Sequence, residues 1–243
     1  MGKAVDSLAS PYVSLRYERK FIYTYLEAED LIQTVVLQNP FGFREIYHRR
    51  TVNNIYFDDE AMSFYHQNVA GDEQREKLRL RWYGDTFAQV TQPVFEIKKK
   101  YGVVGDKLSF ALSDVQFNLS NQSTTTITDY LAQQLNKNKD QQQLRVKVQA
   151  THPSLYNSYE RRYFLSHCAK YRITIDYNMA FYNPEVSAFE KSKMCIPEIV
   201  LELKYAREHD TASRKLTQHF TSRLSKNSKY VRGVQLINYL PNL

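Results

Sequence analysis

Read for alternation, the chain contains five short stretches in which charged side chains recur every second residue with apolar or aromatic residues between them. They are Tyr17-Glu18-Arg19-Lys20-Phe21, Lys77-Leu78-Arg79-Leu80-Arg81-Trp82, Phe95-Glu96-Ile97-Lys98, Tyr159-Glu160-Arg161-Arg162-Tyr163 and Leu201-Glu202-Leu203-Lys204-Tyr205. Successive side chains of a strand point to opposite faces, so each stretch predicts a strand that gathers its charges on one side. One such face is ordinarily just solvated. Five that repeat Arg, Lys and Glu, the groups that hold phosphate and metal, point instead to a phosphate handler.

Other elements fill in around these strands. Leu31, Ile32, Val35 and Val36 recur at helical spacing behind Glu27, Glu29 and Asp30, predicting a helix from Asp30 to Gln38. Thr51 to Phe57 reads as a strand, and Asp59 to Val69 as a helix closed by Gly71. Pro93 to Tyr101 runs into the turn Gly102-Val103-Val104-Gly105-Asp106, and Lys107 to Leu112 resumes alternation, so this region predicts a hairpin. The Ser/Thr run at 123–126 caps a helix through Leu135, and the polar stretch 136–143 is an exposed loop. Tyr171 to Tyr177, with Arg172, Thr174 and Asp176 on one face, and Ile199 to Tyr205 are further strands. Leu216, Phe220 and Leu224 predict a helix from Thr211 to Leu224, and no internal repeat is visible.

Seven or eight alternating strands interspersed with helices suggest an antiparallel sheet that bends or closes on itself. The amphipathic helices need an apolar surface to cover, which places them outside and turns the charged face inward. Arg19 and Arg162 fall on the apolar side and must reach the surface or find partners. Burying so many cations without counter-charge costs several kcal/mol per ion, so the interior is expected to be a wet tunnel for a polyanion and its metal.

Composition narrows the partner without naming it. At 243 residues one large domain is the default, residues 1–14 forming an N-terminal extension and 15–243 the domain. Thirty-three basic residues against 26 acidic ones, a net charge of +7, call for an anionic partner: nucleic acid, anionic lipid or a polyphosphorylated molecule. A nucleic-acid platform needs aromatics and charges on one face, and here they fall mostly on opposite faces, which argues against it. Trp82 is expected in outer packing, whereas Tyr83 shares the charged parity and is left undecided. His48-Arg49-Arg50 and, Lys98 apart, Lys98-Lys99-Lys100 read as solvated surface. Cys168 and Cys195 form no CxxC pattern and the six His show no ligand spacing, consistent with reduced thiols in a cytoplasmic protein. No signal peptide or membrane span is evident, and Asp6 stands where a myristoylation motif after Gly2 wants Ser or Thr.

Taken in order, Glu18-Arg19-Lys20, Leu78-Arg79-Leu80-Arg81-Trp82-Tyr83-Gly84, Phe95-Glu96-Ile97-Lys98, Tyr159-Glu160-Arg161, Leu201-Glu202-Leu203-Lys204 and Ser225-Lys226-Asn227-Ser228-Lys229-Tyr230 with Gly233 resemble the VTC domain of the triphosphate tunnel metalloenzymes, the superfamily that includes the CYTH proteins. The resemblance covers roughly residues 15 to 235. It implies an α+β fold, an eight-stranded antiparallel β-barrel tunnel with helices packed on the outside, which binds triphosphate with a divalent cation. In the VTC branch it implies inorganic polyphosphate synthesis from ATP. By position, Lys20, Arg79, Arg81, Lys98, Lys107, Arg161, Lys204, Lys226 and Lys229 would hold phosphates, Tyr159 and Ser228 adding hydrogen bonds. Lys20, Arg79, Arg81, Arg161 and Lys229 would form the catalytic set.

Glu202 would hold Mn²⁺ or Mg²⁺. Such sites often use one or two protein carboxylates, the other ligands being phosphate oxygens and water. Glu18, Glu96 and Asp176 would assist or, beside so many cations, act as salt-bridge partners. The expected reaction transfers the ATP γ-phosphoryl group to the end of a growing polyphosphate chain. The same tunnel supports a metal-dependent triphosphatase or a silent polyphosphate-binding module. Eukaryotic members join the domain to a phosphate-sensing module and membrane helices. Neither occurs in these 243 residues, so the resemblance is to the free-standing bacterial form or to a piece of a longer chain, and it allows a membrane protein as partner.

Overall fold

The structure, a computed structural model, describes residues 16–101, 104–113, 115–119, 124–135, 142–186 and 189–239. The N-terminal extension, Gly102 and Val103 of the expected turn, Ser123 and residues 136–141 of the expected loop lie outside them.

In chain order the elements are β1 (Arg16–Tyr23), α1 (Ala28–Leu31), whose hydrogen bonding widens to a π-helical stretch at Ile32–Leu37, β2 (Arg44–Asp58), α2 (Ser63–Ala70), β3 (Gln74–Tyr83), β4 (Gln89–Thr91), β5 (Val94–Tyr101), β6 (Val104–Ala111), β7 (Gln116–Asn118), α3 (Thr124–Leu135), α4 (Gln142–Gln149), β8 (His152–Leu165), β9 (Arg172–Tyr182), β10 (Met194–Ile196), β11 (Ile199–Ala206), α5 (Asp210–Thr217), β12 (Leu224–Ser225) and α6 (Lys229–Tyr239). Among the described residues no helix is long and apolar enough to cross a membrane.

The main sheet is antiparallel, with strands ordered β12-β1-β11-β9-β8-β2-β3-β5-β6 and β10 paired to β9; β4 and β7 make a separate ribbon. This corrects the expected eight-stranded barrel: the main sheet has ten strands and its ladder does not close, since β12 and β6 end it as edges among the described residues. The sheet nevertheless curls, because Lys98 of β5 reaches Glu18 of β1 at 2.7 Å although five strands separate them in sheet order. The face carrying these charges is therefore concave.

On the outer face, Ile127, Leu131 and Leu135 of α3 with Leu144 and Val148 of α4 cover Leu78, Leu80, Trp82, Phe95 and Ile97. Leu31, Ile32, Val35 and Val36, with Leu216 of α5, cover Phe21, Ile173, Ile175, Leu201 and Leu203. Trp82 lies in the outer core, stacked on Tyr156 with 5.8 Å between ring centroids, as its parity requires. The two arginines on the apolar side find partners: Arg19 pairs with Asp210 at 2.7 Å, and Arg162 is forked by Glu29 and Glu45, each at 2.7 Å.

One helix lies inside, contrary to the expectation that all cover the exterior. Tyr230 and Val234 of α6 join Val52, Tyr56, Leu155, Tyr159, Met179, Phe181 and Val200, which point from the sheet into its concave side. A β-bulge makes this floor. Asn178, at φ 52°, is the extra residue of β9 against β8, and past it the parity flips, so Met179 and Phe181 share a face with Asp176. Gly233 lets the helix sit down: a Cβ there would lie 2.5 Å from side-chain carbons of Leu155 and Phe181. Buried Asp58 ties α6 to α2, accepting the Tyr230 hydroxyl at 2.5 Å and the backbone N–H groups of Phe64 and Tyr65 at 2.9 and 2.8 Å.

Gly71 caps α2 in the left-handed region at φ 78°, as expected. The helix expected to run to Leu224 stops at Thr217. Phe220 still packs edge-on against Phe21 at 4.8 Å, but Leu224 belongs to β12, where the open edge of β1 offers backbone hydrogen bonds that compete with another helical turn. Helices α4 and α6 were not anticipated from sequence, although Leu144 and Val148 keep the spacing of α4.

Candidate functional site

The period-two strands bring most of the candidate side chains to the concave face, where Lys20, Arg79, Arg81, Lys98, Lys107, Arg161, Lys204 and Lys229 each meet a carboxylate. Arg79 and Glu96, opposite each other in register on β3 and β5, pair at 2.5 Å. Glu96 also takes Lys107 of β6 and stands 3.7 Å from Arg81. Arg161 and Asp176, register partners on β8 and β9, form a two-pronged pair, and Lys229 at the start of α6 adds a 2.5 Å contact to Asp176. Glu202 of β11 pairs with Lys204 at 2.6 Å and Lys20 at 3.6 Å. Glu18 meets Lys98 at 2.7 Å and Lys204 at 3.2 Å. The cationic interior expected from sequence is thus compensated by four carboxylates drawn from the same strands.

Tyr159 sits where these groups converge. Its hydroxyl accepts from Arg81 Nη2 at 3.2 Å, and its ring lies 4.7 Å from Lys229 Nζ and 5.3 Å from the Arg161 guanidinium carbon. Arg81 Nε donates to Asn54 Oδ1 at 2.8 Å, and Asn54 in turn donates to Asn157, so two buried asparagines orient it. That pair was not among the expected site residues; on β2, a polar Asn54 within the run Val52 to Phe57 was the signal for one half of it.

Electrostatics follow the pairing. Burial pushes the Glu96 carboxyl up, but Arg79, Arg81 and Lys107 more than offset it and hold it at about 2. Asp176 is likewise raised by burial and brought down to about 2 by Arg161 and Lys229. Glu202 falls well below the usual carboxylate range because Lys204, Lys20 and Arg161 outweigh its burial. Tyr159 is pushed up by burial and pulled down further by Arg161 and Arg81.

The ion pairs leave an open cleft of about 650 Å³ beside them. Of the sequence candidates, Glu18, Lys20, Lys98, Lys226 and Ser228 line it. Arg79, Arg81, Glu96, Lys107, Tyr159, Arg161, Asp176, Glu202, Lys204 and Lys229 do not; all but the exposed Lys107 are buried or half-buried. Lys77, Arg75 and Lys100 also line the cleft, and none was among the candidates. Their signal was the parity that selected Arg79, Arg81 and Lys98. Tyr83 is exposed beside Arg50, 5.5 Å from ring centroid to guanidinium carbon, away from this cluster.

Among the described residues no three of His, Cys, Asp and Glu stand together as a ready-made metal centre. Glu18 and Glu202 nonetheless share one ammonium, that of Lys204, and such a pair of ionised carboxylates suits a divalent cation that takes its remaining ligands from phosphate and water.

No curated protein matches the chain. Two solved structures resemble it in outline. One is a protein of Pyrococcus horikoshii OT3, 9% identical, covering 91% of this chain and 98% of that chain at a TM-score of 0.47. The other, from Vibrio parahaemolyticus and provisionally assigned as an adenylate cyclase, is 12% identical, covering 89% and 96% at a TM-score of 0.49. Likeness at that level carries no argument about chemistry. A sequence model of the VTC domain matches residues 15–238, and by that match over nearly its whole length the chain belongs to the VTC domain family.

Proposed function

We propose that the protein carries out metal-dependent phosphoryl transfer on the concave face, specifically the synthesis of inorganic polyphosphate from ATP. The observation that carries this reading is the way the arginines are held. Asp176 engages Nε and Nη2 of Arg161, leaving its Nη1 edge for a phosphate, and Glu96 engages Nε and Nη2 of Arg79, whose guanidinium also donates to Tyr56. Carboxylates placed in this way orient the guanidinium groups before a ligand arrives. Phosphoryl transfer depends mainly on positioning and charge stabilisation, which a preorganised arginine set supplies.

In this reading Arg79, Arg81 and Arg161 stabilise the charge that develops on the transferring group, with Lys20 and Lys229 as point charges beside them. Lys98, Lys107, Lys204 and Lys226 hold the remaining phosphates. Tyr159 and Ser228 contribute hydroxyl groups. Glu202, with Glu18 beside it, would hold Mg²⁺ or Mn²⁺; such an ion, when bound, neutralises phosphate charge and aligns the reacting oxygens. Polyphosphate as acceptor is favoured over water by the carboxylates themselves. Glu96 and Asp176, held at about 2, are weak bases at neutral pH, whereas a terminal phosphate is already an oxyanion and needs none.

The test is incubation of the pure protein with ATP and Mn²⁺ or Mg²⁺, followed by gel analysis for long polyphosphate and measurement of released phosphate. Polymer with little free phosphate is the expected result. Free phosphate alone replaces the polymerase with a triphosphatase, and neither product replaces it with a binding module.

A further inference from the structure

Lys77, like Lys100 and Lys226 in the same cleft, differs from the ion-paired cations of the inner face. Lys20, Arg79, Arg81, Lys98, Lys107, Arg161, Lys204 and Lys229 each have a carboxylate within ion-pair distance. Among the described residues Lys77 has none: its ammonium donates to Ser228 Oγ at 2.8 Å. Its cross-strand neighbour is Lys98, and the next pair outward on the same face is Arg75 opposite Lys100. Like charges directly opposite each other in a sheet are destabilising, and here two such pairs lie in succession. This ladder lines the open cleft, while Arg79, the next inward residue of β3, lies two residues, about 7 Å, deeper and belongs to the ion-paired interior.

We propose that Lys77, with Lys98, Lys100 and Ser228, forms an outer anion subsite that receives a phosphate group of a linear polyphosphate beyond those held at the inner arginines. The proposal rests on the reading of the inner site as one for a triphosphate, and adds to it a preference for chains that extend past three phosphates. A cation without an internal partner is the one whose counter-charge arrives with the ligand. The surroundings agree. Burial first, then Lys20 of β1, Lys98 of β5 and Arg79 and Arg75 of its own strand, push the Lys77 ammonium well below the ordinary lysine range. Of the two carboxylates that line the cleft, Glu18 is engaged by Lys98 and Lys204 and Glu198 by Arg232. A polyanion placed beside Lys77 reverses that balance, so binding is expected to draw a proton onto it.

Calorimetric titration of the full chain with pyrophosphate, tripolyphosphate and a longer linear polyphosphate, at fixed free Mg²⁺ and in two buffers of different ionisation enthalpy, tests this. Wild type is expected to bind the longer chain more tightly than tripolyphosphate and to take up protons as it does so. Lys77→Met keeps the length of the stem and removes an amine that meets no carboxylate among the described residues, so it is expected to melt no lower than wild type. It should lose affinity for the longer chain by roughly 10- to 100-fold, the worth of one charge-assisted hydrogen bond, and leave tripolyphosphate unchanged. Lys77→Arg should keep the chain-length preference and lose much of the proton uptake, because guanidinium stays charged. A preference for longer chains that survives in Lys77→Met overturns the outer subsite and leaves the inner reading standing. Equal losses for tripolyphosphate and the longer chain overturn it too, by moving Lys77 into the inner site. No tripolyphosphate binding in wild type overturns the inner reading itself.

Discussion

Arg161 and Asp176 face each other across β8 and β9 with Nε to Oδ1 at 2.5 Å and Nη2 to Oδ2 at 2.7 Å, the carboxylate fully buried. A lysine there keeps the charge and loses the fork. Arg161→Lys is therefore expected to lower kcat/KM for phosphoryl transfer by about 100-fold or more, a loss typical of removing one preorganised donor at a developing charge. Steady-state kinetics check this, and near-wild-type kcat/KM in Arg161→Lys would remove the guanidinium from the reaction.

The same carboxylates set the acid limit of the fold. Folded-state values of about 2 for Glu96 and Asp176 lie below their ordinary 4.5 and 3.8, so their stabilisation is complete above those ordinary values and drains away as pH falls toward 2. Each contributes about 2–3 kcal/mol near neutrality, and their protonation also leaves neighbouring cations uncompensated. Thermal melts between pH 6 and 2 should show a steep fall in Tm below about pH 4, and Glu96→Gln should start lower and fall less.

Glu202→Ala is expected to abolish turnover while leaving the far-ultraviolet circular dichroism unchanged. Lys20 then loses its carboxylate and Lys204 keeps only Glu18, so the melting temperature should drop as well. Retained activity at saturating Mn²⁺ would dismiss Glu202 as a metal ligand.

Gly233→Ala tests the seat of α6. A methyl group 2.5 Å from Leu155 and Phe181 carbons forces those side chains or the helix to move, at an expected cost of about 1–3 kcal/mol. Chemical denaturation should show a lower midpoint with an unchanged slope. An unaltered midpoint would mean that the helix does not press on β8 and β9 this closely.

Much of the inner face was legible because strand alternation is a strict period: Arg79, Arg81, Glu96, Lys98, Arg161, Glu202 and Lys204 fall on one side of their strands, as their spacing required. Family membership was legible in the same motifs. What escaped depends on contacts between distant segments. Whether a helix lies outside or inside the curl is decided by how Gly233 meets Leu155 and Phe181, not by the pattern of α6 itself. The parity flip at Asn178 needs the register of β8 to be seen. Leu224 kept a helical interval while the chain had already turned to join the edge of β1. Lys77 was visible by parity, but that among the described residues it meets Ser228 and no carboxylate needs three dimensions to be seen.

The contact between Glu18 and Lys98 gives the curled sheet a seam fastened by charge where its neighbours are fastened by backbone hydrogen bonds. Ionic fastenings loosen with salt and yield to a stronger anion, while ladder bonds do neither. A polyanion that takes Lys98 away from Glu18 therefore loosens the contact between β1 and β5 without breaking a ladder, so a long chain can settle between two strands that no backbone hydrogen bond joins.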